Sequence, residues 1–393
     1  MHDTEHIALM EPMRIPDGKH PELTELAFEL TRSSAELRSS LPEPLLDALS
    51  DLVRAMNCYY SNLIEGHNTH PVDIERALLN DYSEDREKRD LQLEARAHVL
   101  VQQWIDQGGL RDRSTTLDGI CEIHRRFYEH LPEDLLWISN PETGDRIKVS
   151  PGILREQYVK VGNHIPVRPD IIPRFMERFE QVYCTTSKVE QILSAAAAHH
   201  RLLWIHPFLD GNGRVARLMS YATLLDGLNS GGIWSISRGL ARQHAQYKSH
   251  LVECDLVRQG DFDGRGARSE RALVRFTEFF LKTCIDQVAF MSELIEPSRL
   301  NTRIMAWAKD EVSLGNLSKP TPKILQALLY RGELPRAEIA DIVGTTDRQA
   351  RRYVSELKQF GVIQSKSTRA PLQIAFPANL ANRWMPALFP EQG

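Results

Sequence analysis

The stretch from 189 to 227 constrains the fold more than any other. Residues 189–204 carry Ala195 to Ala198 and Leu202 to Trp204. A helix with that much apolar surface around its girth is largely buried. A glycine-rich loop follows at 206–212, and a second apolar helical run occupies 213–227. Helical spacing recurs elsewhere. Leu45, Leu46, Leu49, Leu52, Val53 and Met56 predict a helix over 42–63, and Leu117, Ile120, Ile123, His124 and Phe127 predict another over 115–130. Residues 170–183 also read as helix. Only residues 140–170 change character: Gly, Pro, Val and Ile cluster, and the partial alternation of REQYVKVGNHIPV predicts a short β-hairpin over 152–166. The class is therefore mainly α. A linker is expected at 314–322, LGNLSKPTP, ahead of a compact tail.

A chain of 393 residues suggests two or three domains, and 42% hydrophobic with 26% charged residues is enough for a real core. There is no run of ~18 apolar residues, so no membrane span is expected. Met1 to Lys19 is polar and mixed in charge, and no signal peptide is expected. Cys58, Cys121, Cys184, Cys254 and Cys284 are scattered and odd in number. They fit neither a zinc nor a redox spacing and favour the reducing cytosol over a disulfide framework.

The chemistry concentrates in His206-Pro-Phe-Leu-Asp-Gly-Asn-Gly-Arg-Val-Ala-Arg217. Gly211, Asn212 and Gly213 open a helix, whose unpaired N–H groups and dipole suit phosphate oxygens. Arg214 and Arg217 are three apart and so are neighbours on the first turns. Cations there oppose the helix dipole; a bound polyphosphate would give them a reason. Asp210 is a hard oxygen ligand of the kind Mg²⁺ takes, and His206 exchanges protons near neutral pH. A transition-metal site built from His199, His200, His206 and Asp210 is the competing reading. It is disfavoured because His199 and His200 point apart on a helix, where both are expected to cover its surface, and no second cluster completes a shell.

The same string resembles the signature of the Fic family, HxFx(D/E)GNGRxxR, with every specified position present. The resemblance extends over roughly residues 30 to 285. It implies a mainly α fold with a helical core, a β-hairpin flap and a reaction in which AMP moves from ATP to a Ser, Thr or Tyr hydroxyl of a target protein. His206 would be the general base and Asp210 the Mg²⁺ ligand. Gly211, Asn212 and Gly213 would cradle the phosphates, and Arg214 and Arg217 would neutralise them, with Pro207 and Phe208 setting the loop. Related Doc toxins have lysine at the second glycine and phosphorylate; Gly213 favours nucleotidyl transfer. Within the flap, Val161, Gly162, Asn163 and His164 would border the nucleotide. Tyr247 would lie near its base, although Lys248 follows where relatives have a second tyrosine. Ser61-Asn-Leu-Ile-Glu65-Gly66 resembles the family's inhibitory motif, (S/T)xxxE(G/N); Glu65 would pair with Arg217 and take the space of the γ-phosphate.

The tail reads as a winged helix-turn-helix: helices over 322–331, 335–344 and 345–361, then a two-stranded wing. From Ser318 to Phe376 there are ten Lys or Arg against five Asp or Glu, in a chain of net charge −5. Arg348, Arg351 and Arg352 open the third helix. The module would serve DNA binding, protein contacts or assembly into a homodimer. The expected organisation is an N-terminal helical region with the inhibitory helix (1–110), a Fic core (111–298), a helix and linker (299–320) and the winged helix (321–393). The leading function is autoinhibited AMP transfer. Removal of AMP, transfer of another nucleotide, and nucleotide-sensing regulation of DNA are the alternatives.

Overall fold

In chain order the helices are α1 (Pro21–Ser39), α2 (Glu43–Ile64), α3 (Pro71–Leu78), α4 (Arg86–Asp106), α5 (Leu117–Glu129), α6 (Ile172–Tyr183), α7 (Lys188–Ile205), α8 (Asn212–Leu228), α9 (Ser237–Arg242), α10 (His244–Cys254) and α11 (Glu270–Leu294). They continue with α12 (Pro297–Ser313), α13 (Thr321–Arg331), α14 (Ile339–Val343), α15 (Asp347–Gln359) and α16 (Ala381–Trp384). The computed structural model describes residues 6–15, 18–139, 144–185 and 187–390. Over these residues the fold is mainly α, and no helix is long and apolar enough to cross a membrane. Two compact units emerge. One draws on Met1–Ser34, Asn57–Ser230 and Ser235–Gln287, the other on Ala35–Met56, Gly231–Trp234 and Val288–Gly393.

The first unit is organised by α7 against α8, the most extensive helix pair of the chain. α7 buries Ala195 to Ala198 and Leu202, and α8 buries Val215, Ala216, Leu218 and Met219. α5 starts at a Thr116 cap, whose hydroxyl accepts from Gly119 N at 3.0 Å. It buries Ile120, Ile123 and Phe127 on one face. His199 and His200 do not cover a helix surface as expected; both are buried. His199 bonds Ser220 Oγ (2.9 Å) and Tyr247 Oη (2.7 Å), and His200 Nε2 reaches Asp255 Oδ1 (3.1 Å). A helix wrapped on every side can hold such residues only if they are hydrogen-bonded.

Within 152–166 the expected hairpin is present as a tight two-residue turn, and a longer hairpin lies upstream of that segment. β1 (Trp137–Ser139) and β2 (Arg146–Lys148) pair antiparallel, with Trp137 opposite Lys148. Within 152–166 the single bridge among the described residues joins Val161 and His164 around Gly162, whose φ is 58°. The reason is competition for backbone groups. Arg155 donates to the carbonyls of Gln157 (2.8 Å) and Val167 (2.5 Å), so this segment is committed to side-chain bonds instead of a ladder.

In the second unit, α13, α14 and α15 are followed by strands. β3 (Glu333–Leu334), β4 (Ile363–Gln364) and β5 (Leu372–Ile374) form an antiparallel sheet in the order β3-β5-β4. Gly344 ends α14 with φ 66°, and the Thr346 hydroxyl caps α15. Residues beyond 376 add α16, whose Trp384 packs edge-on against Trp307 of α12 with ring centroids 5.2 Å apart.

Candidate active site

α7 ends at a left-handed residue, and that residue is His206, with φ 53° and ψ 61°. Its N–H still bonds Leu202 O at 3.0 Å, and Pro207 prevents the helix from continuing. The His206 Nδ1 faces Leu203 O at 3.3 Å. A carbonyl can only accept, so Nδ1 carries the proton and Nε2 is left as the basic nitrogen. Burial pushes the imidazole down to about 4, with the Arg155 and His164 charges acting in the same sense. The ring is therefore neutral at physiological pH.

The loop after His206 is held from inside. Phe208 is fully buried and stacks on His124, with ring centroids 4.0 Å apart and planes 12° apart. Asn212 Oδ1 accepts from Phe208 N (3.0 Å) while its Nδ2 donates to Phe208 O (2.9 Å). Asn212 is thus the brace of the loop, its side chain turned to Phe208. Asn212→Ala would leave both backbone groups of a buried residue without partners. We expect a loss of about 1–3 kcal/mol in stability, read as a lower midpoint in chemical denaturation; an unchanged midpoint would show that the brace is dispensable.

Gly211, with φ 77°, is the left-handed cap that turns the chain into α8. A Cβ there would lie 2.8 Å from Tyr128 Oη. That hydroxyl donates to Asp210 Oδ2 at 2.7 Å. No bond to the other Asp210 oxygen is present among the described residues. The N-terminus of α8 has no side-chain cap from its own chain segment. Instead Glu65 approaches: a Cβ on Gly213 would sit 2.2 Å from Glu65 Oε1. The same oxygen is paired with Arg217 Nη2. Burial pushes the Glu65 carboxyl up, but the Arg217 pair outweighs it and holds the group below the usual carboxylate range.

The sequence leads Glu65 there by a Schellman ending. Gly66 has φ 89°, its N–H bonds Leu63 O, and the His67 N–H bonds Asn62 O. Ser61 holds the guanidinium from the other side: Arg217 Nε donates to Ser61 Oγ (2.8 Å) and Nη2 to Ser61 O (3.2 Å). Arg214 is engaged too. It donates to Glu94 Oε2 (2.7 Å), contacts His67 Nδ1 (3.2 Å) and lies over the Phe127 ring. Both arginines of the loop are therefore matched by carboxylates of the chain itself.

The structure brings together His206, Asp210, Gly211, Gly213, Arg217, Glu65 and Ser61. His164 joins them from the side: Nε2 donates to Trp204 O at 2.8 Å, whereas Val161, Gly162 and Asn163 are exposed. Tyr247 is buried under Arg217, on His199, and offers no exposed ring face to a nucleotide base. Tyr128, Glu94, His67 and Arg155 were not legible as site residues. Tyr128 follows His124 by four and so shares its helix face, which is a usable signal. Glu94 has none, being 120 residues from its partner.

Residues 114–224 match the model of the Fic/DOC family. Protein adenylyltransferase Fic of Drosophila virilis is 30% identical over 169 residues, covering 42% of this chain and 32% of the relative. The chain thus spans about a third of the length of such curated relatives. A Fic family protein from Desulfovibrio desulfuricans superposes with a TM-score of 0.52 at 14% identity, covering 90% of this chain and 96% of the other. A Fic domain containing signaling protein from Bacteroides thetaiotaomicron gives 0.51 at 19% identity, covering 68% and 95%. These likenesses concern the fold.

Proposed function

We propose that this chain transfers AMP from ATP to a Ser, Thr or Tyr hydroxyl of a target protein, and that Glu65 restrains it. One observation carries the reading: an internal carboxylate lies at the N-terminus of α8, on Arg217, where a phosphate is otherwise expected. The relatives named protein adenylyltransferase support the same reaction class. In the reaction the hydroxyl oxygen attacks the α-phosphorus, the P–O bond to pyrophosphate breaks, and His206 Nε2 takes the hydroxyl proton. Gly211 and Gly213 let backbone N–H groups face the phosphates, and Arg217 matches their charge once Glu65 withdraws. Arg214, already matched by Glu94, anchors α8 on α4.

Mg²⁺ fits Asp210. One oxygen is oriented by Tyr128 and the other is available, and no cluster of three or more His, Cys, Asp or Glu occurs among the described residues. Such a site would hold the ion by Asp210, with the substrate phosphates and water completing the shell. When bound, the ion supplies charge neutralisation at the phosphates. Incubation with labelled ATP tests the reaction: covalent AMP on protein is expected, and nucleotide bound only reversibly would contradict it.

The tail supports a second role. Its three helices and three-stranded sheet are read as a winged helix, with α15 as the recognition helix. Arg348 and Arg351 are exposed and have no ion-pair partner among the described residues, whereas Arg352 is occupied by Glu356 at 3.1 Å. Arg351 also lines a groove of about 690 Å³ with Arg336 and Lys358. We propose that this face binds DNA phosphates. Each phosphate contact steepens the salt dependence by about 0.9 in log–log slope, so Arg348→Glu with Arg351→Glu should flatten it by about 2. Absence of DNA retention at low salt would turn the module towards protein contacts.

A further inference from the structure

A helix leaves its last carbonyls without intrahelical donors. At the end of α7 the segment 152–166 supplies those donors from two side chains. His164 Nε2 donates to Trp204 O, and Arg155 Nη2 reaches Ile205 O at 3.4 Å. Arg155 Nε donates to His206 O at 2.7 Å, and the Arg155 backbone N–H bonds Pro207 O at 2.9 Å. The same guanidinium closes back on the Gln157 carbonyl within the segment and on the Val167 carbonyl just after it. Arg155 is only 4% exposed.

His206 needs such support. A left-handed backbone is strained for a residue with a Cβ, and the turn points its carbonyl out of the helix ladder. A planar guanidinium with five N–H groups can serve several carbonyls at once; an ammonium on a flexible stem cannot hold that plane. A cation is also favoured at a helix C-terminus.

The geometry points to Arg155 as a positioning residue for His206. It fixes the left-handed turn that aims the imidazole, and it joins that turn to the segment 152–166, so that displacement of this segment is felt at His206. The inference rests on the reading of His206 as the base.

The test uses the full chain in a Glu65→Gly background, with Arg155→Lys and Arg155→Ala. Misplacing a catalytic group by an ångström costs about 10²-fold, so kcat for AMP incorporation should fall by about that factor while KM for Mg-ATP changes by less than about threefold. Added guanidinium ion should restore incorporation to Arg155→Ala but not to His206→Ala. Amide hydrogen exchange over 204–208 should quicken in Arg155→Lys, a readout independent of activity and of full folding of the alanine variant. Unchanged exchange in Arg155→Lys, or a kcat equal to the parent in a folded Arg155→Ala, would overturn the assignment. If the Glu65→Gly parent itself incorporates no AMP, the transfer reading fails, and the exchange experiment still decides whether Arg155 holds the turn.

Discussion

His206→Ala, in a Glu65→Gly background, is expected to lower AMP incorporation by at least ~10²-fold, the usual scale for a positioned base. ATP binding should persist, because in the proposed mechanism His206 would serve the proton transfer and not the phosphate cradle. The state of the imidazole sharpens the expectation. Burial holds it down to about 4, so the ring is neutral from pH 8 down to well below pH 6. The parent rate should accordingly show no loss from His206 protonation over pH 6 to 8 and should fall as pH drops towards 4, where the proton that blocks Nε2 is taken up. Steady-state incorporation and isothermal titration with ATP measure the two halves. Near-parental incorporation by His206→Ala would remove the histidine from its role.

Glu65→Gly is expected to raise incorporation by about tenfold or more, since a charge-assisted bond to a buried group contributes roughly 1.5–3 kcal/mol. Two anions would compete for one guanidinium. Arg217 is buried, and Ser61 fixes it from one side while Glu65 neutralises it from the other. A γ-phosphate seeking Arg217 must displace a carboxylate that already sits against Gly213. On the proposed reading, nucleotide bound without that displacement would have its α-phosphate misaligned, and such a reaction depends on in-line position. Glycine removes the competitor and adds no side chain of its own. Parallel rate measurements on wild type, Glu65→Gly and the Glu65→Gly/His206→Ala double variant separate release from chemistry: the first change should accelerate, the second should silence. If Glu65→Gly instead abolishes a measured removal of AMP from modified protein, the hydrolytic role takes precedence.

What the sequence made legible follows from distance along the chain. The helices of the core announced themselves because their periodicity is local, and α7 and α8 carry too much apolar surface to lie anywhere but inside. The loop was legible because base, carboxylate, glycines and arginines fall within twelve consecutive residues. Its second layer was not. Arg155 lies 51 residues before the carbonyl it holds, and Glu94 lies 120 before Arg214; no spacing rule links residues so far apart. The hairpin within 152–166 is shorter than its alternation suggests for a related reason: it is limited to the Val161–His164 pair, and a buried arginine takes the Gln157 carbonyl. His199 and His200 looked like surface residues because their partners, Ser220, Tyr247 and Asp255, belong to other elements. The side-chain bonds of Asn212 to the Phe208 backbone, four residues away, are likewise not legible from the motif.

The central claim is that Glu65 stands in for a phosphate in a site built to move AMP onto protein. Mass spectrometry of peptides from Glu65→Gly protein incubated with Mg-ATP and a cell lysate tests it most directly. Ser, Thr or Tyr peptides carrying the mass increment of AMP are expected, more abundant than with wild type and absent with the His206→Ala double variant. Peptides carrying phosphate alone, or no adduct above the wild-type level, would contradict it.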